Sequence, residues 1–187
     1  PVVHLGDYVD RGPDSCGVLE FLLRGRAEGQ PWVLLKGNHD RMMTLFLHAP
    51  AERDPRRPDL HWLGDRIGGR ETLASYGVDV SFARPVEEIH AEARRKVPQA
   101  HVALLEGLLP SYRRAGVFFC HAGIRPGLPL AEQDEDDLVW MRGEFHDDRR
   151  DHGALIVHGH TPVEKVTHYG NRLNLDTGAA YGGPVSA

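Results

Sequence analysis

Gly6-Asp7-Tyr8-Val9-Asp10-Arg11-Gly12, entered from the apolar stretch Pro1 to Leu5, decides how the rest of the chain is read. An apolar run that stops at a glycine and then presents two carboxylates and an arginine has the pattern of a buried strand ending in a site. Carboxylate oxygens suit hard and borderline divalent cations. A guanidinium beside them offers the fork geometry that matches phosphate. By itself the stretch also fits, less well, an Asp-rich turn carrying a surface ion pair.

The same design recurs downstream. Trp32-Val33-Leu34-Leu35 runs into Lys36-Gly37-Asn38-His39-Asp40, Gly116 to Cys120 runs into His121-Ala122-Gly123, and Ala154 to Val157 runs into His158-Gly159-His160. One histidine after a strand is ordinarily a structural residue. Several such turns, each with Asp, Asn or His, are better explained by a shared site, because imidazole and carboxylate together bind transition metals. Between the first two strands, Cys16 to Ala27 repeats Val18, Leu19, Leu22 and Leu23 at helical spacing behind the capping residues Asp14 and Ser15. A second helix is expected over Met42–His48. Strand, turn and helix in alternation predict an α/β layer whose ligands sit beyond the strands' carboxyl ends, with the first two polar turns side by side. Residues 50 to 75 read as an inserted cap or substrate-side segment, with a short helix opening at Gly68-Gly69. Residues 86 to 109 read as two amphipathic helices parted near Pro98.

These motifs resemble those of the calcineurin-like metallophosphoesterases, in the bacterial form of their phosphoprotein phosphatase branch. The matching segments are Gly6–Gly12, Gly37–Asp40, His121-Ala122-Gly123 and Gly159-His160. The resemblance implies an α/β (α+β) fold, a β-sandwich flanked by helices, with one metallophosphoesterase domain over residues 1–187. It implies two divalent metals, manganese first, with iron, zinc or cobalt as alternatives. Asp7 would bridge them, and Asn38, His121 and His160 would complete the second. His39 would be the general acid, held and tuned by Asp10. Arg11 and Arg142 would grip the phosphate and Tyr181 would border the site. Hydrolysis by a metal-activated hydroxide would then need no Ser or Cys nucleophile.

The family's first motif, Gly-Asp-x-His-Gly, is missing before Pro1. The sequence therefore reads as lacking a first strand and as a piece of a longer protein, which puts catalysis by this chain alone in question. The leading expectation is a phosphomonoesterase acting on phosphoserine or phosphothreonine proteins or on small phosphoesters. Two alternatives stand beside it: a dinucleoside polyphosphate hydrolase, and a catalytically silent domain that binds a metal or a phosphorylated partner.

Bulk properties narrow the class. A net charge of −5 argues against a nucleic-acid binder, and no apolar run is long enough to span a membrane. Two cysteines, Cys16 and Cys120, give no disulfide framework, so a reducing, cytoplasmic setting is expected. The sequence leaves the oligomeric state open. Of the twelve histidines, His158 is expected in a structural role. His4, His48, His61, His90, His101, His146, His152 and His168 are expected to be solvated. The acidic run Glu132 to Asp137 is expected to be an exposed loop, and Asp40 to cap a turn.

Overall fold

A computed structural model describes all 187 residues. The chain divides into two compact units, one formed by Pro1–Gly6, Val33–Asn38 and Leu109–Ala187, the other by Asp7–Trp32 and His39–Leu108.

The first unit carries the sheets. Strands β1 (Val2–His4) and β2 (Trp32–Leu34, whose first residue closes the other unit) form a two-stranded sheet. Leu109 forms an isolated parallel bridge beside Leu35, just past β2, exchanging backbone hydrogen bonds with Leu34 and Lys36. The larger sheet has the order β3-β4-β5-β7-β6. Its strands are β3 (Ser111–Arg114), β4 (Val117–Cys120), β5 (Leu155–His158), β6 (Thr167–His168) and β7 (Arg172–Asn174). β4, β5 and β7 run parallel, while β3 and β6 close the edges antiparallel. Phe118, Cys120 and Ile156 point from these strands into a buried cluster with Ile124, Leu138, Met141 and Phe145. Because side chains alternate along a strand, one face fills this core. The carboxyl ends of the three parallel strands then deliver His121, His158 and Asn174 to one edge.

The second unit is helical. Helix α1 (Ser15–Ala27) starts where the Asp14 side chain accepts from the Gly17 amide, and it buries Ser15, Leu19, Leu22 and Gly25. Val18, expected on that face, is instead exposed. The stripe runs through Gly25, where any Cβ would lie 2.0 Å from the Trp32 ring. Helix α2 spans Asn38–His48. It therefore begins four residues earlier than the periodicity suggested, so that Asn38, His39 and Asp40 form its first turn. Helices α3 (Gly69–Ser75), α4 (Val86–Lys96) and α5 (Gln99–Glu106) follow the expected order.

Three local expectations are corrected. The acidic run is not an exposed loop: helix α6 (Glu135–Trp140) begins within it behind the Asp134 cap, and Asp137 is buried, receiving Arg125 Nε at 2.6 Å. A short helix α7 (Gly143–Asp147) follows. His101 is not solvated; it is buried between the Tyr76 hydroxyl at 2.8 Å and Glu20 at 3.1 Å. His90 lies edge-on against Phe46, and His146 stacks on His158. Helical spacing and net polarity do not reveal which histidines a neighbouring helix will cover.

Candidate metal centre and phosphate site

Four non-glycine site residues adopt the left-handed backbone region: Asp7 (φ 59°), Asp10 (φ 75°), Arg11 (φ 61°) and His160 (φ 66°). Ala115 in the β3–β4 hairpin is the one other such residue. The region disfavours side chains with a Cβ, and residues held there concentrate where surrounding structure fixes a functional geometry.

In the sheet unit, His121 follows the last residue of β4, and its carbonyl accepts from Gly159 N at 2.8 Å. Its Nδ1 donates to the Leu5 carbonyl at 2.7 Å, which assigns the lone pair to Nε2. That nitrogen is 3.1 Å from Asn38 Oδ1 and 3.2 Å from His160 Nδ1. Arg142 Nε donates to His160 Nε2 at 3.0 Å, so the His160 proton is assigned to Nδ1 and faces His121. Trp140 meets the His160 ring edge-on at 5.7 Å. Asn38 Oδ1 and His121 Nε2 thus oppose two electron pairs with no proton between them. A divalent cation relieves such an opposition and would take the place of the His160 Nδ1 proton that faces His121, and an amide oxygen with two imidazoles suits manganese, iron or zinc. The residues fit the metal.

Behind this cluster, His158 is fully buried. Its Nδ1 donates to the Gly159 carbonyl at 3.1 Å and its Nε2 accepts from Arg172 Nη1 at 3.1 Å. Burial, reinforced by nearby positive groups, lowers its pKa to about 3. Arg172 also donates to the His146 carbonyl and lies over the Tyr169 ring at 3.6 Å. His158 is accordingly a neutral post at the root of the His160 turn.

In the helical unit, both oxygens of buried Asp40 accept from the turn that carries Asp7, at 2.8 Å from Asp7 N and 2.9 Å from Tyr8 N. The His39 amide donates to Asp7 Oδ1 at 3.1 Å. Asp40 therefore clasps a turn rather than merely capping one. The His39 ring is buried, with Nδ1 2.5 Å from Asp10 Oδ2. Trp62 Nε1 donates to both Asp10 oxygens, at 3.1 and 3.0 Å, and Thr72 Oγ1 to Oδ1 at 2.8 Å. Burial alone would lower the His39 pKa, but the Asp7 and Asp10 carboxylates outweigh it and hold the imidazole above its ordinary value. Burial likewise pushes the Asp10 carboxyl up, against the hydrogen bonds from His39, Thr72 and Trp62. With Nδ1 committed to Asp10, the proton His39 can give away is on Nε2. Arg11 is half-buried, and its Nη2 donates to the Arg66 carbonyl at 3.3 Å.

The expected residues thus fall into two groups by unit. Asn38, His121, His160 and Arg142 meet in one, and Asp7, Asp10, Arg11 and His39 in the other, with the peptides Gly6–Asp7 and Asn38–His39 crossing the division. Tyr181 stands in the turn Ala179–Tyr181, 68 % exposed, with its ring beside Gly178. Trp62, Thr72 and Arg172 escaped the sequence reading, and Asp40 is read there only as a turn cap within its motif. The 52-residue separation of Trp62 from Asp10 leaves no local signal to find.

Residues 2–184 match the calcineurin-like phosphoesterase family. The chain belongs to that family. Among the relatives of this phosphoesterase is a protein of Bacillus thuringiensis (strain Al Hakam) named "Bis(5'-nucleosyl)-tetraphosphatase PrpE [asymmetrical]". It is 26 % identical over 202 residues, covering 98 % of this chain and 72 % of the relative. A protein of the same name from Anoxybacillus flavithermus (strain DSM 21510 / WK1) is 27 % identical over 201 residues, with the same coverage. A solved crystal structure provisionally described as a diadenosine tetraphosphatase shares the fold, with a TM-score of 0.59 at 20 % identity over 97 % of this chain and 72 % of that one. The mixed α/β fold is therefore that of the metallophosphoesterases, and the family's chemistry is hydrolysis with divalent metals.

Proposed function

We propose that this phosphoesterase hydrolyses dinucleoside polyphosphates, breaking one phosphoanhydride bond with water. The observation that carries the reading is similarity over 98 % of the chain to relatives named as asymmetrical bis(5'-nucleosyl)-tetraphosphatases. That similarity supports the dinucleoside reading, and the phosphomonoester reading rests on the Gly6–Gly12 and Gly37–Asp40 motifs.

Asn38, His121 and His160 would hold metal, with Asp7 the carboxylate supplied by the first matching motif. Divalent metal, when bound, supplies electrophilic activation of phosphorus and of water. The remaining work belongs to side chains. Arg11 and Arg142 orient the phosphoryl oxygens through charge-assisted hydrogen bonds, which the planar guanidinium makes in pairs. Water oxygen bonds to phosphorus as the bond to the departing phosphate breaks, one water proton staying on the new phosphate and the other passing to solvent, while His39 passes its Nε2 proton to the departing oxygen and regains one from solvent. Asp10 keeps the ring oriented and favours its charged form before transfer. Asp40 holds the Asp7 turn rigid through two backbone amides, so that little reorganisation accompanies the reaction.

The test compares kcat/KM for diadenosine tetraphosphate and for a phosphoserine peptide on one preparation with manganese. The dinucleotide is expected to be favoured at least tenfold. A phosphopeptide preference would restore the phosphoprotein reading. Metal binding without turnover of either substrate would make this a silent binding domain.

A further inference from the structure

We propose that Arg66 is a specificity residue, a second cation that binds the part of a polyphosphate chain beyond the phosphoryl group gripped by Arg11. The proposal rests on the polyphosphate reading above.

The segment between α2 and α3 is fastened to the Asp10-Arg11 turn at three points. Trp62, itself buried, donates to both Asp10 oxygens. Gly68, at φ 103°, lies so close that a Cβ there would be 2.3 Å from Arg11 N. The Arg66 carbonyl receives Arg11 Nη2 at 3.3 Å. The residue bearing this carbonyl is thus held one hydrogen bond from the Arg11 guanidinium.

Neighbouring arginines are already committed inside the chain. Arg41 forks onto buried Asp54, Arg53 donates to the Pro50 and Glu52 carbonyls, and Arg57 forks onto Asp59. Arg70 donates to the Leu63 and Val80 carbonyls and lies over Phe82. Arg66 differs. Its side chain is exposed and makes no hydrogen bond or ion pair, not even with its exposed neighbour Asp65. Its backbone is fixed while its guanidinium stays available. A monoester presents a single phosphoryl group, which one fork can occupy. A polyphosphate continues past that group with further anionic oxygens, and an uncommitted arginine beside the first is suited to receive them.

The experiment uses the whole metal-loaded chain with Arg66→Gln and Arg66→Lys. Calorimetric affinity is measured for inorganic tripolyphosphate and for orthophosphate. The ratio of kcat/KM on diadenosine tetraphosphate to that on p-nitrophenyl phosphate is measured alongside. Arg66→Gln is expected to weaken tripolyphosphate relative to orthophosphate about tenfold, the scale of one charge-assisted contact discounted for solvent exposure. The kcat/KM ratio is expected to fall by a similar factor, and Arg66→Lys to recover part of both. The tripolyphosphate effect should shrink as salt is raised. An unchanged tripolyphosphate-to-orthophosphate ratio overturns the role of Arg66, whatever the enzyme hydrolyses. Failure of the unaltered protein to cleave the dinucleotide, with the tripolyphosphate effect intact, overturns the functional reading alone.

Discussion

Replacing Gly6 by alanine separates two costs that usually arrive together. Gly6 has φ 96°, and a Cβ there would lie 2.5 Å from Gly37 N, 2.8 Å from Gly37 Cα and 2.9 Å from the Lys36 carbonyl carbon. All three atoms are backbone, so no flexible side chain can swing aside. Gly170 has the same φ of 96° with nothing within 4 Å of its Cβ position. Gly170→Ala should therefore report the left-handed penalty alone, about 1–2 kcal/mol. Gly6→Ala should add an overpacking cost of about 1–3 kcal/mol, because Gly6 and Gly37 must part by roughly an ångström to reach ordinary contact. The expected losses are about 1–2 kcal/mol for Gly170→Ala and about 2–5 kcal/mol for Gly6→Ala. Urea denaturation of both variants, fitted with a common m-value, measures the difference. Gly6→Ala should also weaken metal binding, since Asp7 and Asn38 each follow one of the displaced glycines in sequence. Equal stability losses in the two variants would refute the claim that close backbone approach, rather than dihedral freedom, requires glycine at position 6.

Asp54→Asn removes the counter-charge of buried Arg41, to which it presents both oxygens at 2.8 Å; a loss of about 3–5 kcal/mol in urea denaturation is expected. His158, whose folded pKa is lowered to about 3 from 6.5, takes up its proton more readily unfolded than folded. Its contribution is therefore constant above pH 6.5, and stability falls as pH drops from 6.5 towards 3, by about 1.4 kcal/mol per pH unit. Denaturation midpoints against pH should be flatter across that window in His158→Asn or His158→Gln than in the unaltered chain. His39→Asn should lower kcat by about 10²–10⁴-fold on an alkoxide leaving group such as a phosphoserine peptide. It should do so less on diadenosine tetraphosphate, whose leaving phosphate has a second pKa of about 6 and needs the proton less. Equal losses on both substrates would contradict proton donation as the role of His39.

Much of this arrangement was legible because strand ends are written locally. Apolar runs closing on Gly-Asp, Gly-Asn-His and Gly-His mark the edge where Asn38, His121 and His160 meet. What remained hidden depends on contacts between distant segments. Asp40 looked like a turn cap, since its two amide partners lie 33 and 32 residues upstream. His101 and Asp137 looked solvated from their residue types, and their burial is decided by the distant partners Tyr76, Glu20 and Arg125. The start of α2 was misplaced because Asn38-His39-Asp40 lacks the apolar spacing that marks a helix. Its first turn is spent on the site rather than on the core.

The left-handed backbone at Asp7, Asp10, Arg11 and His160 bears on how such a site should be dissected. An alanine scan removes a functional group and also places a residue poorly tolerated at positive φ, so lost chemistry and a loosened turn are read together. Asparagine visits that region more readily than alanine. Asp7→Asn and Asp10→Asn therefore change charge while sparing the main chain, and glycine at the same positions spares the main chain while deleting the side chain. The difference between those two series, not either alone, isolates the chemistry of each residue.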